Sequence, residues 1–339
     1  MICEVRTGAA LTHHALMADM LQLTDAQIEQ WRTQGYCVVD GFDIAAARGE
    51  ARFSDGTEHT DFGSKNGSFE FPCGLPHLDR LPIRLQAAAR KLLRDEAVYI
   101  SQADVWIKKP KARSPKSNDD QRMHCDFGNN IILPPPWHEP VAMAAIIYFD
   151  GPEECGGGAT AVVARTGDDD EAYRRERMIM QPGYGNVPWI NNRADAEAWY
   201  RKNDPVVGAF RQTLYDREIK VMPAVGRVLL YRLDVWHRGT PLTTGSRRVM
   251  NMVWFSPRAI GTGGRWNMGF WKSSYDVSPF GVYAPPDKLF VALCPDERMA
   301  IGFPGVTDVF WSPSNLRLLE ARFPRFDTAP YLARHGTKL

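Results

Sequence analysis

Apolar and polar positions recur along this chain with two different periods. Toward the N-terminus the spacing is helical. Thr24-Asp25-Ala26-Gln27 reads as a capping box, in which Thr24 accepts from the third helical residue and Gln27 reaches back. The helix it opens is expected to run to about Gln34 and stop at Gly35, with a strand over 36–39 behind it. A second helix is expected over 82–96, where Ile83, Leu85, Ala88, Leu92 and Leu93 fall at helical spacing. From residue 98 the texture changes. Short β-branched or aromatic runs occupy 98–108, 142–149, 160–164, 218–222, 227–232 and 247–255, punctuated by Pro and Gly. Many short strands with long, irregular connections predict a mainly β fold with flanking helices, a sandwich or a jelly roll.

Two connections are unusually long. Residues 110–121 are polar and rich in Pro and Ser; residues 166–205 are acidic first, then rich in aromatic residues, Gly and Asn. Long loops on a small-barrel scaffold read as lids or binding loops. From about Pro285, Pro-Gly turns alternate with a helical stretch around 316–322, which reads as a cap. No internal repeat is visible. The expectation is one domain over 1–339. It comprises helices and a first strand over 22–97, a jelly-roll core over 98–260 with a lid insert over 166–205, and a cap over 285–339.

Composition narrows the class of partner. The 339 residues are 44% hydrophobic and 24% charged, ordinary globular values. A formal net charge of +1 gives no global field for nucleic acid or an acidic membrane. The basic group Lys108, Lys109, Lys111, Arg113 and Lys116 reads as a solvated loop. Cysteines at 3, 37, 73, 125, 155 and 294 form no CxxC pair, so reduced thiols and a cytoplasmic location are expected. No signal-peptide core is seen, and no window reaches the ~18 to 20 apolar residues of a membrane span. Thr337-Lys338-Leu339 is close to a peroxisomal address but lacks its preferred serine, which leaves the peroxisome as the alternative.

The sharpest local feature is Met123-His124-Cys125-Asp126-Phe127. On a strand, residues two apart point to the same side, so His124 and Asp126 project together. Alone, this is weak evidence; a satisfied core histidine beside a turn-forming aspartate would look the same. The second feature is Val225-Gly226-Arg227-Val228-Leu229-Leu230-Tyr231, then Trp236-His237-Arg238-Gly239-Thr240. A Gly turn leads into an apolar strand with a histidine a few residues beyond. Two histidines and one carboxylate make the facial triad of non-haem Fe(II) oxygenases. Three positions stay open, two for a bidentate 2-oxo acid and one for O2. The acid's far carboxylate then needs a partner, and an arginine fork supplies a two-point, permanently charged one. Arg247 and Arg248, ten and eleven residues beyond His237, are both candidates.

The order and wording of these segments resemble the phytanoyl-CoA dioxygenase family of Fe(II)/2-oxoglutarate oxygenases. The resemblance begins with Leu23-Thr24 through Gly35-Tyr36-Cys37-Val38-Val39-Asp40-Gly41. It continues through His124-Cys125-Asp126, the Gly-rich Glu153-Glu154-Cys155-Gly156-Gly157-Gly158-Ala159-Thr160, and the segment 225–239. Ile301-Gly302-Phe303-Pro304, Arg322-Phe323-Pro324 and Tyr331 are similar to tails of some members, so coverage runs from about residue 22 to 331.

The resemblance implies a double-stranded β-helix, a cupin-like jelly-roll barrel. His124, Asp126 and His237 would be iron ligands. The 2-oxoglutarate arginine would be Arg247 or Arg248, with Arg247 favoured because the family shows Arg-x-Val/Ala-Leu/Ile and this chain has Arg247-Arg248-Val249-Met250. The implied reaction converts 2-oxoglutarate to succinate and CO2 while O2 oxidises a small-molecule substrate, with ascorbate as reductant. Related halogenases carry a small residue where Asp126 stands, so hydroxylation or a related oxidation is expected. One departure is Ala164-Arg165-Thr166-Gly167 in place of the family's Pro-Gly-Ser-His.

Around this centre, Lys108 and Lys109 are candidates for holding 2-oxoglutarate, against a plainer reading as surface lysines. Gln102, Trp106, Phe127, Asn129, Asn130, Trp189 and Trp236 are candidates for lining a substrate pocket. Tyr184, Asn191, Asn192 and Arg193 lie in the insert and would close over a substrate or stand in solvent. No basic pocket for a CoA phosphate is evident, which points to a free small molecule. Two other readings use the same residues. A redox-neutral cupin-like metalloenzyme has no carboxylate to hold and so no use for the arginine. A non-catalytic binding protein on the same barrel would be expected to lose a ligand. The sequence carries no signal for oligomeric state.

Overall fold

The computed structural model describes residues 20–51, 69–70, 74–110, 119–126, 133–258, 293–300 and 303–332. Helix α1 (Asp25–Gln34) opens with the expected capping box: Thr24 Oγ1 accepts from Gln27 N–H, and Gln27 Oε1 accepts from Thr24 N–H at 2.9 Å. Gly35 ends it at φ 89°, and a Cβ there would lie 2.3 Å from a Val235 methyl. Conformation and close approach both demand glycine here. Strand β1 (Tyr36–Val39) and helix α2 (Ala45–Glu50) follow, then the short strand β2 (Phe69–Glu70).

Helix α3 (Pro76–Leu93) starts six residues before the expected Pro82. The apolar stripe reaches back through Leu78 and Leu81, both fully buried. Burying two leucines contributes roughly 1.5–3 kcal/mol each. That offsets the ~3 kcal/mol cost of a proline inside a helix.

The strands β3 (Tyr99–Lys108), β4 (Ala142–Tyr148), β8 (Val228–Arg232) and β11 (Arg247–Phe255) join β1 and β2 in one antiparallel sheet of order β1-β8-β4-β11-β3-β2. Strands β6 (Thr160–Val163), β7 (Glu218–Val221) and β9 (His237–Gly239) form a second sheet of order β7-β6-β9, and β5 (Cys155–Gly157) pairs with β10 (Leu242–Gly245). Strands β2, β5, β9 and β10 were not expected; at two to four residues each, they are too short to show a period.

Alternation sorts the large sheet into two faces. Met143, Ala145, Ile147, Leu230, Met252 and Trp254 pack with Trp31, Leu85 and Leu92 of the helices. Ala144, Ile146, Tyr148, Leu229, Tyr231 and Val249 pack with Val162 and Trp236 on the side of the second sheet. The large sheet is thus a middle layer, and β4 is apolar throughout because both of its faces are covered.

The insert is less irregular than expected. It holds a 3-10 turn (Glu171–Tyr173) and α4 (Arg175–Met178), then α5 (Arg193–Asn203) capped by Asn192; α6 (Pro205–Asp216), capped by Asp204, follows it. Toward the C-terminus, α7 (Pro295–Ala300), α8 (Pro313–Arg322) and α9 (Ala329–Leu332) gather a third core around Phe303, Trp311, Leu319 and Tyr331 that also takes in Leu133. The start of the expected cap, 285–292, lies outside the described residues, as do Lys111, Arg113, Lys116 and the C-terminal Thr337-Lys338-Leu339. Among the described residues no helix is long and apolar enough to cross a membrane, and Cys37, Cys125, Cys155 and Cys294 are free thiols.

One buried ion pair ties the layers together. The Arg232 guanidinium lies 3.8 Å over the Trp137 ring and donates to both oxygens of Asp234 at 2.8 and 2.7 Å, while its backbone N–H donates to Gly35 O. Both side chains are almost fully buried. Asp234→Ala leaves the guanidinium without its countercharge and is expected to destabilise the protein by roughly 3–5 kcal/mol, read as a lower denaturation midpoint at unchanged m-value.

Candidate metal centre

The segment 121–126 runs antiparallel to β9. Gln121 N–H donates to Gly239 O at 3.0 Å, His124 N–H to His237 O at 3.0 Å, and His237 N–H to His124 O at 2.8 Å. His124 and His237 are therefore a directly opposed, hydrogen-bonded pair whose side chains share one side, with ring centroids 4.5 Å apart. Two residues on, Asp126 projects to that side as well. Its N–H is held by Leu233 O in the turn after β8.

The three side chains converge. Asp126 Oδ2 lies 3.1 Å from His237 Nε2, and Asp126 Oδ1 lies 3.5 Å from His124 Nε2. One ligand atom from each residue fits within 4.8 Å of the others. Adjacent ligands at about 2.0–2.2 Å from a metal stand about 3 Å apart, which these contacts approach. Nδ1 of His124 faces Arg122 O at 3.0 Å and Nδ1 of His237 faces Val235 O at 2.9 Å. A carbonyl partner makes Nδ1 the protonated nitrogen and aims the Nε2 lone pair inward, as a metal-binding imidazole requires.

Burial and the neighbouring His237 push the His124 imidazole well below its ordinary value and keep it neutral. Burial alone would raise the Asp126 carboxyl; His237, His124 and Arg122 outweigh it and hold the group well below the carboxylate range. For His237, burial is outweighed by Asp126, and its pKa rises. Such a set, a carboxylate among imidazoles with both Nε2 atoms facing it, suits a divalent first-row metal. The Tyr231 hydroxyl donates to Asp126 Oδ2 at 3.4 Å, a contact with no signal in the sequence.

The candidates on β3 and β11 sort by face. Arg247 pairs across from Lys108, and Val249 across from Trp106, so Arg247, Lys108 and Trp106 share the face that turns toward the second sheet. Arg247 is buried, and its Nη1 donates to Gly158 O. Gly158 has φ 68°, and a Cβ there would press on Arg247 Cδ at 3.3 Å and Leu242 Cδ1 at 2.8 Å; the Gly-rich turn makes room for the guanidinium. Arg247 Nε has no hydrogen-bond partner among the described residues, and burial lowers the pKa of the group.

Lys108 is not a solvated lysine. Its ammonium donates to Thr240 O at 2.9 Å and to Asp119 O, and burial with the nearby Arg247 charge pushes its pKa down to about 7. Lys109 is half-buried beyond the strand end.

Arg248 points the other way, toward the helix layer. It binds Asp150 and reaches Ala51 O, so it is turned from the side that Arg247 occupies. Trp236 is likewise no pocket wall. It is fully buried beside Phe210, and its indole N–H donates to Ala172 O at 2.7 Å, because alternation sends it opposite to His237.

Residues 191–193 of the insert pair with the outer edge of the segment 120–122: Arg122 N–H donates to Asn191 O, Arg193 N–H donates to Asp120 O, and Gln121 bridges to Asn192. Trp189 is stacked 4.1 Å from the Arg122 guanidinium. Phe127, Asn129 and Asn130 and the side chain of Gln102 lie outside the described residues.

No family model matches this chain, and no curated protein does. Among solved structures it is similar to the non-haem α-ketoglutarate-dependent epimerase SnoN from nogalamycin biosynthesis, at 15% identity over 68% of this chain and 82% of that one, with a TM-score of 0.43. It is also similar to HygX from Streptomyces hygroscopicus with nickel and 2-oxoglutarate bound, at 16% identity over 70% and 88%, TM-score 0.44. A third is EvdO2 from Micromonospora carbonacea var. aurantiaca, at 13% identity over 70% and 92%, TM-score 0.43.

Metal binding is directly testable. Ni(II) at a hundredfold over its dissociation constant is expected to stabilise the native state by about 2.7 kcal/mol. The accompanying rise in thermal midpoint should vanish in Asp126→Ala and His237→Ala. An equal rise in the variants would place the metal elsewhere.

Proposed function

We propose that this chain is an Fe(II)- and 2-oxoglutarate-dependent dioxygenase that hydroxylates or otherwise oxidises a small molecule, of the phytanoyl-CoA dioxygenase type, with the two sheets as halves of a double-stranded β-helix. The observation that carries the reading is Arg247. A buried guanidinium with an unpartnered Nε and no carboxylate in hydrogen-bond contact among the described residues is costly to leave as it stands. A ligand carboxylate would satisfy it, and the candidate metal ligand His237 lies on β9, in the sheet that Arg247 faces. Gly158, which accepts from Arg247, lies four residues before Val162, and Val162 pairs with His237. At about 3.3 Å per strand residue the two backbone positions are at most roughly 13 Å apart along β6, a gap that the long Arg247 side chain and a dicarboxylate would span together.

In this reading His124, Asp126 and His237 would hold the iron. Arg247 takes the far carboxylate of 2-oxoglutarate in two-point contact, and Lys108 across the strand pair adds a second positive charge. Tyr231 keeps Asp126 turned toward His237. Trp106 lies on the same face as Arg247 and would line the cavity. Asp126 is the most accessible of the three ligands, so substrate would approach from its side. With these groups in place, bound Fe(II) would supply O2 activation coupled to decarboxylation of 2-oxoglutarate to succinate and CO2.

The assay is succinate formed from 2-oxoglutarate with Fe(II), ascorbate and air. The wild type is expected to produce it slowly without substrate, Asp126→Ala not at all, and Arg247→Gln only at much higher 2-oxoglutarate. Iron-independent succinate, or none together with no charge-transfer band from the anaerobic Fe(II)·2-oxoglutarate complex, would sink the assignment.

Lys108 adds a pH dependence. With its pKa near 7 it is charged below that value and neutral above it. A bound dianion favours the charged form, so affinity for 2-oxoglutarate should fall as pH rises from about 7 to 9. The fall is roughly tenfold for each unit by which binding raises the lysine pKa. In Lys108→Met the dissociation constant should be flat across that window; an unchanged slope would exclude Lys108 as the titrating group.

A further inference from the structure

Among the described residues, the segment bearing His124 and Asp126 has a β-strand on one side only. On the other side, side chains from the insert and from α6 meet its backbone at 123–125. The Tyr215 hydroxyl on α6 accepts the Met123 N–H at 3.0 Å, and Arg211, one turn earlier, donates Nη2 to Met123 O at 3.1 Å. Gln181 Oε1 accepts the Cys125 N–H at 3.0 Å. Glu197 on α5 holds the first two together, its Oε1 accepting from Arg211 Nε and Nη2 at 3.0 and 2.8 Å and from the Tyr215 hydroxyl at 2.7 Å. Arg211, Tyr215, Gln181 and Glu197 are all buried. Burial pushes the Tyr215 phenol up to about 12 despite the Arg211 charge, so it stays protonated, donating to Glu197 while accepting from Met123.

These bonds fall on the peptide planes that flank His124. Met123 N–H belongs to the same planar unit as Arg122 O, and Arg122 O is the atom that orients His124 Nδ1. Met123 O belongs to the unit whose N–H, on His124, is held by His237 O. Cys125 N–H belongs to the unit whose carbonyl, on His124, accepts from His237 N–H. A hydrogen-bonded line thus runs from the Glu197 carboxylate through the Tyr215 phenol and one peptide to the His124 imidazole.

We propose that Arg211, Tyr215 and Gln181, with Glu197 holding the first two, form a surrogate strand that positions His124 and Asp126 for metal binding. The inference rests on the reading of those two residues as metal ligands. Packing alone would not need polar groups there; an apolar α6 face would bury as well, but would leave the Met123 N–H and carbonyl unsatisfied. Side chains also do what a further strand would not. They hold the ligand segment from a helix, so its edge is closed and its register with β9 cannot slip.

The test uses Co(II) as probe, by visible absorption titration of the full-length metal-free protein. Tyr215→Phe keeps the ring and removes only the oxygen. It is expected to weaken Co(II) binding roughly ten- to a hundredfold and to change the shape of the ligand-field band, while the metal-free thermal midpoint falls by a few degrees. Gln181→Met, of matching length and without the acceptor, is expected to act in the same direction and carries the test if Tyr215→Phe does not fold. Variants that bind Co(II) with wild-type affinity and spectrum overturn the proposal, whatever their stability. A folded wild type that takes up no Co(II) removes the metal centre itself, and the proposal with it; the two failures are told apart by the wild-type titration.

Discussion

The reciprocal hydrogen bonds between the backbones of His124 and His237 set the position of every group around the centre. A directly opposed antiparallel pair puts both imidazoles on one side, and the two-residue period then brings Asp126 to the same place. A metal site tolerates only small errors in ligand position, so whatever holds these two short segments in register matters more than the size of the core around them. β9 is held by β6 on its far side, with Val162 opposite His237. The turn leading into it is braced by the Arg232–Asp234 pair between Trp31 and Trp137, and through Gly35 that brace reaches the first helix. The N-terminal layer thus acts on the centre through the turn that precedes His237.

Much of this was legible in the residues. The capping box at Thr24, the long strands of the large sheet and the shared side of His124 and Asp126 all follow from rules that act over a few positions. Alternation also separates Arg247 from Arg248 once the strand is known, since neighbours on a strand face opposite ways. It removes Trp236 from the pocket for the same reason.

What was not legible falls into two kinds. The strands β5, β9 and β10 are too short and too rich in glycine to carry a period; β5 and β10 pair with each other and β9 with the four-residue β6. The insert was misread for a different reason. Asn192 ahead of α5 and Asp204-Pro205 opening α6 are ordinary helix-start signals that an aromatic, Gly-rich composition obscured. That its helices grip the ligand segment from outside is a matter of contacts 88 and 92 residues apart, Met123 with Arg211 and Tyr215, and no local pattern encodes those.

Three buried arginines show how partner accounting separates structure from function. Arg232 is saturated by Asp234 and the Trp137 carbonyl, with an aromatic ring beneath it. Arg211 is saturated by Glu197 and two backbone carbonyls, and Tyr215, Glu197 and Tyr200 together outweigh its burial and raise its pKa. Arg247 is buried too, yet among the described residues its side chain bonds to one carbonyl, and burial lowers its pKa instead. A charge removed from water without a countercharge weakens the fold that carries it. Two of these sites have countered that cost from within the chain. The third has been given room by Gly158 and a lysine for a neighbour, and among the described residues no carboxylate bonds to it; this is the place the proposed 2-oxoglutarate carboxylate would fill.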